Sequence, residues 1–228
     1  MKWSLERVAL FEGLAPALLA AAREQCGLQR CAAGQEVFGQ QSQARDVFFV
    51  VQGRVRVTIF ASTGREVAFR ELAAGATFGE VSAIDGLDRS ASVVALEDSL
   101  LATMSAQRFC ALLRGYPDLA ERVLQNFAGL IRSLTDRVVE FSTLAVQNRI
   151  QVEIVRMARD AGIKANQATL VPPPRHADIA SRVSTNREAV ARELNRMARQ
   201  GLVERRRGAI VLLDVARLVA MVEEVKET

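Results

Sequence analysis

Histidine and cysteine are the residues that this 228-residue chain most conspicuously lacks, with one histidine and three cysteines. Histidine is the commonest general acid or base in enzymes, and no nucleophile–base pair or metal-binding cluster stands out in its place. The sequence therefore does not predict an enzyme. Cys26, Cys31 and Cys110 form an odd set without regular spacing. This does not fit a secreted disulfide framework, so we expect a protein of the reducing cytoplasm.

Long apolar runs are also missing. Charge interrupts every hydrophobic stretch well short of the roughly 18–20 residues that a membrane helix needs. Glu6 and Arg7 interrupt the first stretch, so we expect no signal peptide and no membrane partner. Half of the residues are hydrophobic and 25% are charged, which argues against wholesale disorder and favours a core buried without disulfides.

Residues 35–104 have a sequence pattern typical of short strands and turns. The run VFFVVQGRVRVTIF (47–60) is rich in β-branched and aromatic residues, and glycines follow in quick succession at 75, 79 and 86. Short strands at about ten-residue spacing predict a small all-β sandwich or barrel. Ahead of it, residues 14–23 predict a short helix opened by Pro16.

The next zone, residues 117–148, predicts one long helix, because Gly129 is its only glycine and no proline follows Pro117. Its apolar residues recur at alternating spacings of three and four, a narrow seam that favours a parallel dimer. We therefore predict a homodimer formed through residues 117–147, the alternative being a helix packed on its own domain. The seam consists of Leu124, Phe127, Ile131, Leu134, Val138, Phe141 and Ala145.

Positive charge is concentrated in the last third of the chain. Residues 147–213 contain thirteen Lys or Arg against six Asp or Glu, an excess larger than the net +4 of the whole chain. A basic region of this kind is typical of nucleic-acid binding. Its pattern predicts a helix, a break at VPPP (171–174), two short helices, a hairpin at RRRGAIVLL and a final amphipathic helix.

The stretch HADIASRVSTNREAVARELNRMARQGLVERRRG (176–208) predicts a helix-turn-helix. Residues 183–185 form the turn, and Asn186 can cap the second helix by accepting from a free backbone N–H. Val190, Leu194 and Met197 form the buried stripe of that helix, at i, i+4 and i+7.

Double-stranded DNA is the predicted partner of this segment. Thr185 and Asn186 open the second helix, and Arg187, Glu188 and Arg192 lie off its buried stripe, in the first two turns. A recognition helix reads bases with such N-terminal residues, arginine on guanine and a carboxylate on cytosine. The alternative is a solvated helix with salt bridges, such as Glu188 with Arg192. Arg205, Arg206 and Arg207 would form a wing that contacts phosphates.

This arrangement of parts resembles the CRP/FNR family of bacterial transcription regulators. The resemblance rests on RExVxR in the second helix, a glycine-tipped wing after it, a long dimer helix before it and a small β-domain in front. It implies an α+β fold with a jelly-roll-like, cyclic-nucleotide-binding β-roll (1–116), a dimerisation helix (117–147) and a winged helix-turn-helix domain (148–228). It also implies a TGTGA-type palindromic operator and RNA polymerase as a partner.

The run FGEVSAIDGLDRSAS (78–92) resembles the phosphate-binding cassette of cyclic-nucleotide-binding domains. A cyclic nucleotide needs a cation for its phosphate and an acceptor for its ribose 2′-hydroxyl. Arg89 supplies the cation and Glu80 the acceptor. Gly79 opens the cassette, and Ser90 with the N–H groups around Val81 and Ser82 completes the phosphate shell. The alternative is a buried Glu80–Arg89 ion pair that holds a loop closed.

The purine is harder to assign. In the family, hydroxyl residues in the middle of the dimer helix contact the base. Leu134 and Thr135 occupy that place here, so one of the two hydroxyls is missing. Arg70, on the strand that leads into the pocket with Leu72, could reach a guanine carbonyl. We expect cAMP as the allosteric ligand, with cGMP as the alternative.

Other branches of the family fit less well. An iron–sulfur sensor usually needs four cysteines, and only three exist. A haem sensor needs an axial histidine in the β-domain, whereas His176 lies at the start of the DNA-reading segment, where it could cap a helix or contact phosphate. Three readings stay open beside the main one: another effector, constitutive activity, and a ligand-binding module that acts by protein contact alone.

Overall fold

The computed structural model of the chain describes residues 3–60 and 66–226. The chain folds into two compact units, Met1–Leu130 and Ile131–Thr228. Within the described ranges, no helix is long and apolar enough to cross a membrane.

The first unit is built on two four-stranded antiparallel sheets, which confirms the predicted β-rich domain. The sheet orders are β1-β8-β3-β6 and β2-β7-β4-β5. The strands are β1 (Gly27–Cys31), β2 (Glu36–Phe38), β3 (Val47–Gln52), β4 (Arg54–Phe60), β5 (Glu66–Ala73), β6 (Thr77–Phe78), β7 (Ser92–Ala95) and β8 (Ser99–Met104).

Four helices accompany these strands. They are α1 (Pro16–Glu24), α2 (Glu80–Asp85), α3 (Ala106–Gly115) and α4 (Pro117–Thr143). The proline that was expected to open the first helix is indeed its first residue. Helix α2 lies inside the FGE…RSA segment, between β6 and β7.

Strand β3 is buried on both faces, which explains its unbroken apolar sequence VFFVV. Phe48 and Val50 pack in a core to which both sheets contribute. Val47 and Phe49 belong to a second core that includes residues of α1, α3 and the start of α4. Alternation along one strand therefore joins the two cores of the unit.

Helix α4 carries an exposed apolar stripe. Leu124 is 66% exposed, Ile131 62% and Val138 64%, and Phe141 continues the row. By contrast, Phe127 packs against the core of the first unit. Among the described residues, Leu124, Ile131 and Val138 of the predicted seam thus expose most of their apolar side chains to solvent.

The predicted extent of this helix to about residue 148 is wrong. Helix α4 ends at Thr143, and Ala145, which was assigned to the seam, has an extended backbone at the start of the next helix. No glycine or proline marks the break. Leu144 is buried in the core of the second unit, and Arg149 donates to the carbonyl oxygens of Phe141 at 3.4 Å and Leu144 at 3.5 Å. Tertiary contacts therefore end the helix.

The second unit has the predicted helix-turn-helix and hairpin. Its helices are α5 (Val146–Ala161), α6 (His176–Arg182), α7 (Arg187–Arg199) and α8 (Val215–Lys226). Its strands are β9 (Ala168–Leu170), β10 (Val203–Arg206) and β11 (Ala209–Leu212), in the order β10-β11-β9. Strand β9 was not predicted, because three residues are too few to show a period. One apolar core joins α5 to α8.

Candidate functional site

Gly79 shapes the start of α2. Its φ of 84° lies in the left-handed region, where it precedes the first helical residue. A Cβ at this position would lie 2.8 Å from Nη1 of Arg89 and 2.8 Å from the carbonyl oxygen of Asp46. Glycine is therefore required twice, for its backbone conformation and for the space that the guanidinium occupies.

Arg89 is buried, with only 3% of its surface exposed. Its Nη1 donates to the carbonyl oxygen of Gly79 at 2.9 Å, and its Nη2 donates to that of Asp46 at 2.6 Å. The guanidinium carbon lies 4.0 Å from the centre of the Phe38 ring. Its Nε is buried and has no hydrogen-bond partner. The cation is thus oriented by the backbone, and its buried Nε–H is left without an acceptor.

This environment changes the pKa of Arg89. Burial lowers it, and the negative charges of Asp46 and Glu80 offset part of that effect. A buried guanidinium with an unsatisfied N–H gains free energy when an anion approaches. The segment is therefore suited to binding an anionic group.

Glu80, the first residue of α2, lies within electrostatic reach of two cations. Burial raises the pKa of its carboxyl, while the charges of Arg70 and Arg89 act in the opposite direction. The hydrogen bonds of Arg89 go to backbone carbonyls and not to Glu80. The alternative of a closed Glu80–Arg89 ion pair is therefore not what the structure has.

Arg70 lies on β5 at an irregularity in its pairing with β4. The register passes from Val57↔Arg70 to Thr58↔Ala68, so one residue of β5 is left without a partner. Such bulges redirect side chains and are common next to binding sites. The Arg70 side chain is exposed and its charge acts on Glu80. The charges of Arg70 and Arg89 thus both act on Glu80.

The other residues that were predicted to contact the ligand differ in how buried they are. Ser82 is buried and its hydroxyl donates to the carbonyl of Asp88 at 3.4 Å, so the hydroxyl hydrogen is already used. Val81 and Ser90 are exposed, whereas Leu72 is buried.

Leu134 and Thr135 lie on α4 in the second unit. Leu134 is half-buried, and Thr135 is exposed and donates its hydroxyl to the carbonyl of Ile131 at 3.0 Å. Their part in a ligand site stays a prediction.

Sequence reasoning missed the residues that hold Arg89. Phe38 and Asp46 lie more than 40 positions away, and the neighbouring loop pairs with the arginine backbone. Gln41 donates to the carbonyl of Arg89 at 2.8 Å, and the Arg89 N–H donates to that of Ser42 at 3.0 Å. Backbone acceptors leave no signature in a sequence, so no motif could have revealed them.

The helix-turn-helix has the geometry that the sequence predicted. The side chain of Asn186 accepts from the backbone N–H of Ala189 at 2.8 Å and caps α7. Val190, Leu194 and Met197 are at most 1% exposed. The opposite face of α7 is left to solvent.

The candidate base-reading residues lie on that open face. The side chains of Arg187 and Glu188 are 76% and 55% exposed and form an ion pair at 2.8 Å. The hydrogen bond from Arg187 lowers the pKa of Glu188. Arg192 is exposed one turn later, and Thr185 lies in the turn before the cap. The expected alternative of a Glu188–Arg192 pair is replaced by a pair with the adjacent Arg187.

The hairpin of β10 and β11 presents three exposed arginines. Arg205, Arg206 and Arg207 lead to Gly208, whose φ of 75° closes the tight turn. Arg206 pairs with Glu204 at 2.7 Å. His176, the first residue of α6, has a pKa that burial and then the charge of Arg205 lower. Helix and hairpin therefore contribute to one cationic region.

The raised pKa of Glu80 predicts a pH-dependent stability. The folded protein holds this proton more tightly than the unfolded chain, so stability falls as pH rises from 4.5 through the raised value. Glu80→Gln removes this loss. We expect the free energy of unfolding in urea to be higher for Glu80→Gln than for the unsubstituted chain at pH 7, and the gap to shrink below pH 4.5. A gap that is constant with pH, or of opposite sign at pH 7, contradicts this.

Comparisons with known proteins agree with this geometry. Residues 28–116 match the cyclic nucleotide-binding domain, and residues 149–221 match the Crp-like helix-turn-helix domain. The Cyclic AMP receptor protein of Thermus thermophilus is 30% identical over 213 residues, which cover 92% of this chain and 94% of that protein.

Solved structures share the fold. A CooA mutant from Carboxydothermus hydrogenoformans aligns with a TM-score of 0.78 at 21% identity, covering 89% of this chain and 90% of that one. The c-di-GMP responsive regulator CLP of Xanthomonas campestris aligns with a TM-score of 0.72 at 19% identity, covering 87% and 99%. With both domain matches in the same order and a relative aligned along nearly its whole length, the chain belongs to the CRP/FNR family of transcription regulators.

Proposed function

We propose that this chain is a homodimeric transcription regulator whose DNA binding is switched by a cyclic nucleotide. The observation that carries the proposal is the state of Arg89. Its guanidinium is buried, held by two backbone carbonyls and left with an unsatisfied Nε, beside the carboxyl of Glu80. A cyclic phosphate supplies the missing acceptor and charge.

The ligand contacts follow from the chemistry of a nucleoside 3′,5′-cyclic phosphate. Arg89 binds the phosphate, together with the backbone N–H groups of Val81 and Ser82 and the exposed hydroxyl of Ser90. Glu80 accepts from the ribose 2′-hydroxyl, which gives its carboxyl, whose pKa burial raises, a hydrogen-bond donor. Leu72 packs against the ligand.

The base distinguishes two versions of the proposal. The 30% identical relative is named for cyclic AMP, and Thr135 offers a hydroxyl to an adenine, so cAMP is the first candidate. Arg70 favours cGMP, because its exposed guanidinium near Glu80 can donate to a guanine carbonyl, and because Leu134 offers no hydroxyl. The name of CLP shows that the same fold serves c-di-GMP, which is therefore a necessary control ligand.

DNA is read by α7 and held by the wing. Arg187, Glu188 and Arg192 present hydrogen-bonding groups on the exposed face of α7, where a TGTGA-type half-site offers guanine acceptors and a cytosine donor. Thr185 and Asn186 begin the helix, and Arg205, Arg206 and Arg207 contact phosphates. Two copies then bind a palindrome with half-sites about one helical turn apart and act on RNA polymerase in the cytoplasm.

Dimerisation explains the exposed stripe of α4. Leu124, Ile131 and Val138 are spaced as one side of a two-stranded coiled coil. Pairing with a second copy buries them. It also sets the distance between the two copies of α7, so a ligand that favours one arrangement of α4 changes DNA affinity.

The ligand site can be tested by calorimetric titration with cAMP, cGMP and c-di-GMP. We expect one of the first two to bind, and Arg89→Gln and Glu80→Gln each to weaken it at least about tenfold, since each removes a hydrogen bond to a charged group. Arg30→Gln, on exposed β1 of the same unit, is the matched control and should bind normally. Binding of neither cAMP nor cGMP by the unsubstituted chain refutes the proposed ligand class.

The DNA interface predicts different effects for α7 and the wing. Glu188→Ala should cost about 1–3 kcal/mol on the selected site and relax base preference at one position in each half-site. Arg207→Ala should weaken binding to all sequences alike and lower the salt dependence by about one released counterion per subunit. Site selection followed by fluorescence anisotropy at several salt concentrations checks both. Equal loss on all sequences for Glu188→Ala removes it from base reading.

The dimer interface can be tested on the α4 stripe. Ile131→Glu places a charge in the proposed seam and should yield a monomer by light scattering after gel filtration, with DNA affinity reduced at least about tenfold. Asn126→Glu adds the same charge to the same helix, off the stripe, and should remain dimeric. If Ile131→Glu and Asn126→Glu are both dimeric, or if the unsubstituted chain is a monomer, dimerisation through α4 is contradicted.

A further inference from the structure

A cluster of charged side chains lies apart from the base-reading face of α7, where α4, α5 and α6 meet within the second unit. Three elements contribute to it, and we call it the Glu153 cluster. Its members are Arg137 and Glu140 of α4, Glu153 and Arg156 of α5, and Arg182 of α6.

Glu153 is at the centre and is fully buried. Its Oε1 accepts from Nη1 of Arg182 at 3.0 Å, and its Oε2 accepts from Nη1 of Arg156 at 2.5 Å. Nη2 of Arg137 lies 3.8 Å from the same Oε2. One carboxylate therefore contacts arginines from three different helices.

Two side chains of helix α4, those of Arg137 and Glu140, connect it to the cluster. Arg137 also donates to the carbonyl oxygen of Arg182, the last residue of α6, at 3.3 Å, so this carbonyl has a hydrogen-bond partner. Glu140 accepts from Nη2 of Arg156 with both oxygens, at 3.0 and 3.1 Å. Burial lowers the pKa of Arg137, and the charge of Glu153 offsets part of that effect. The last turns of α4 are thus bonded to the end of α6.

The position of Arg182 gives the cluster its significance. It is the last residue of α6 and directly precedes the turn that leads into α7. The turn is held by Val183 N–H donating to Ile179 at 3.1 Å and Thr185 N–H donating to Ala180 at 3.0 Å. Displacement of the last turns of α4 therefore acts on the residue from which the DNA-reading helix is presented.

Stability alone is a poor reason for this arrangement. Desolvating several charges costs about as much as their attraction returns, and apolar residues of similar size often stabilise a protein better. What a charge cluster does provide is a defined geometry, because each arginine fork accepts only some arrangements of its carboxylates.

We propose that Glu153 is a positioning residue for DNA recognition, joining the last turns of α4 to the end of α6 so that a change in α4 alters the presentation of α7. This inference rests on the proposed function, since it needs α4 to respond to a bound ligand. The cyclic nucleotide and the DNA contact other residues, so Glu153 acts only through Arg137 and Arg182.

The test removes the Arg137 contacts of α4 and leaves the Glu140–Arg156 pair and the rest of the cluster in place. Arg137→Gln keeps Glu153 bonded to Arg156 and Arg182, whereas Glu153→Gln leaves three arginines without their shared carboxylate and risks unfolding. The matched control is Arg196→Gln. Arg196 pairs at 2.8 Å with Glu193, another buried glutamate of this unit, and both residues belong to α7. Glu193 also accepts from Gln151 of α5, at 2.6 Å, so this pair lies outside the α4 contacts that the test addresses.

The readout is the ratio of DNA affinities with and without saturating cAMP or cGMP, measured by anisotropy. Allosteric ratios are typically about 5–150-fold. We expect Arg137→Gln to reduce the ratio at least about threefold while calorimetry gives an unchanged nucleotide affinity. Arg196→Gln should keep the ratio of the unsubstituted chain. Arg137→Lys keeps the charge but lacks the planar fork, so it should restore the ratio only in part, whereas Arg137→Met, which keeps an unbranched side chain without the charge, should restore none of it.

A second readout separates this inference from the proposed function. If neither nucleotide changes the DNA affinity of the unsubstituted chain, the proposed function fails, and amide hydrogen exchange at Val183 and Thr185 decides the positioning role. Exchange there should be at least about tenfold faster in Arg137→Gln and unchanged in Arg196→Gln. Unchanged exchange in Arg137→Gln, or equal changes in both variants, overturns the role of the cluster.

Discussion

The ligand-binding half of this protein depends on the hydrogen bonds that one buried guanidinium donates to two backbone carbonyls. Arg89 donates to Gly79 and Asp46, which come from the start of α2 and the segment before β3. These two bonds use donors that would otherwise be unsatisfied, and they fix the direction of Nε. Because Gly79 has a left-handed backbone, the bond to its carbonyl also fixes how α2 begins. Cation, helix start and strand are therefore positioned together, and a bound anion completes the set.

The two halves of the protein use charge in opposite ways. In the first unit a carboxyl and a cation are both removed from water, and this burial raises the pKa of Glu80 and lowers that of Arg89, while their opposite charges offset part of each shift. Such a site contributes little to the stability of the fold and is well suited to binding a ligand. In the second unit both oxygens of Glu153 already accept hydrogen bonds from arginines. This suits a residue that holds helices together and not one that binds a ligand. Exposed arginines on α7 and the wing form a third class, available for phosphates and bases.

Much of this could be read from the sequence, and the exceptions have a common cause. The apolar period of α4, the cap at Asn186 and the proline that opens α1 are local patterns, and the structure has the helices that they predicted. The end of α4 at Thr143 was missed because it depends on the burial of Leu144 and on Arg149 reaching back. The partners of Arg89 were missed because carbonyl acceptors are the same for every residue type. Local periodicity predicts elements, whereas joints between elements depend on contacts distant in sequence.

Helix α4 is the element through which these separate sites can influence one another. Its first turns lie in the core of the first unit through Leu119 and Val123, and its last turns carry two members of the Glu153 cluster. Between them runs the exposed stripe that a second copy would cover. A ligand shifts such a system only through a difference in its affinity for two arrangements. Residues 130–143 lack glycine and proline and favour a straight helix, whereas Gly129, just before them, is the position in α4 at which bending costs least. The break at Leu144 and Ala145 lies just beyond the cluster, so the pairs Glu140–Arg156 and Arg182–Glu153 join α4, α5 and α6 where the backbone helix itself is interrupted.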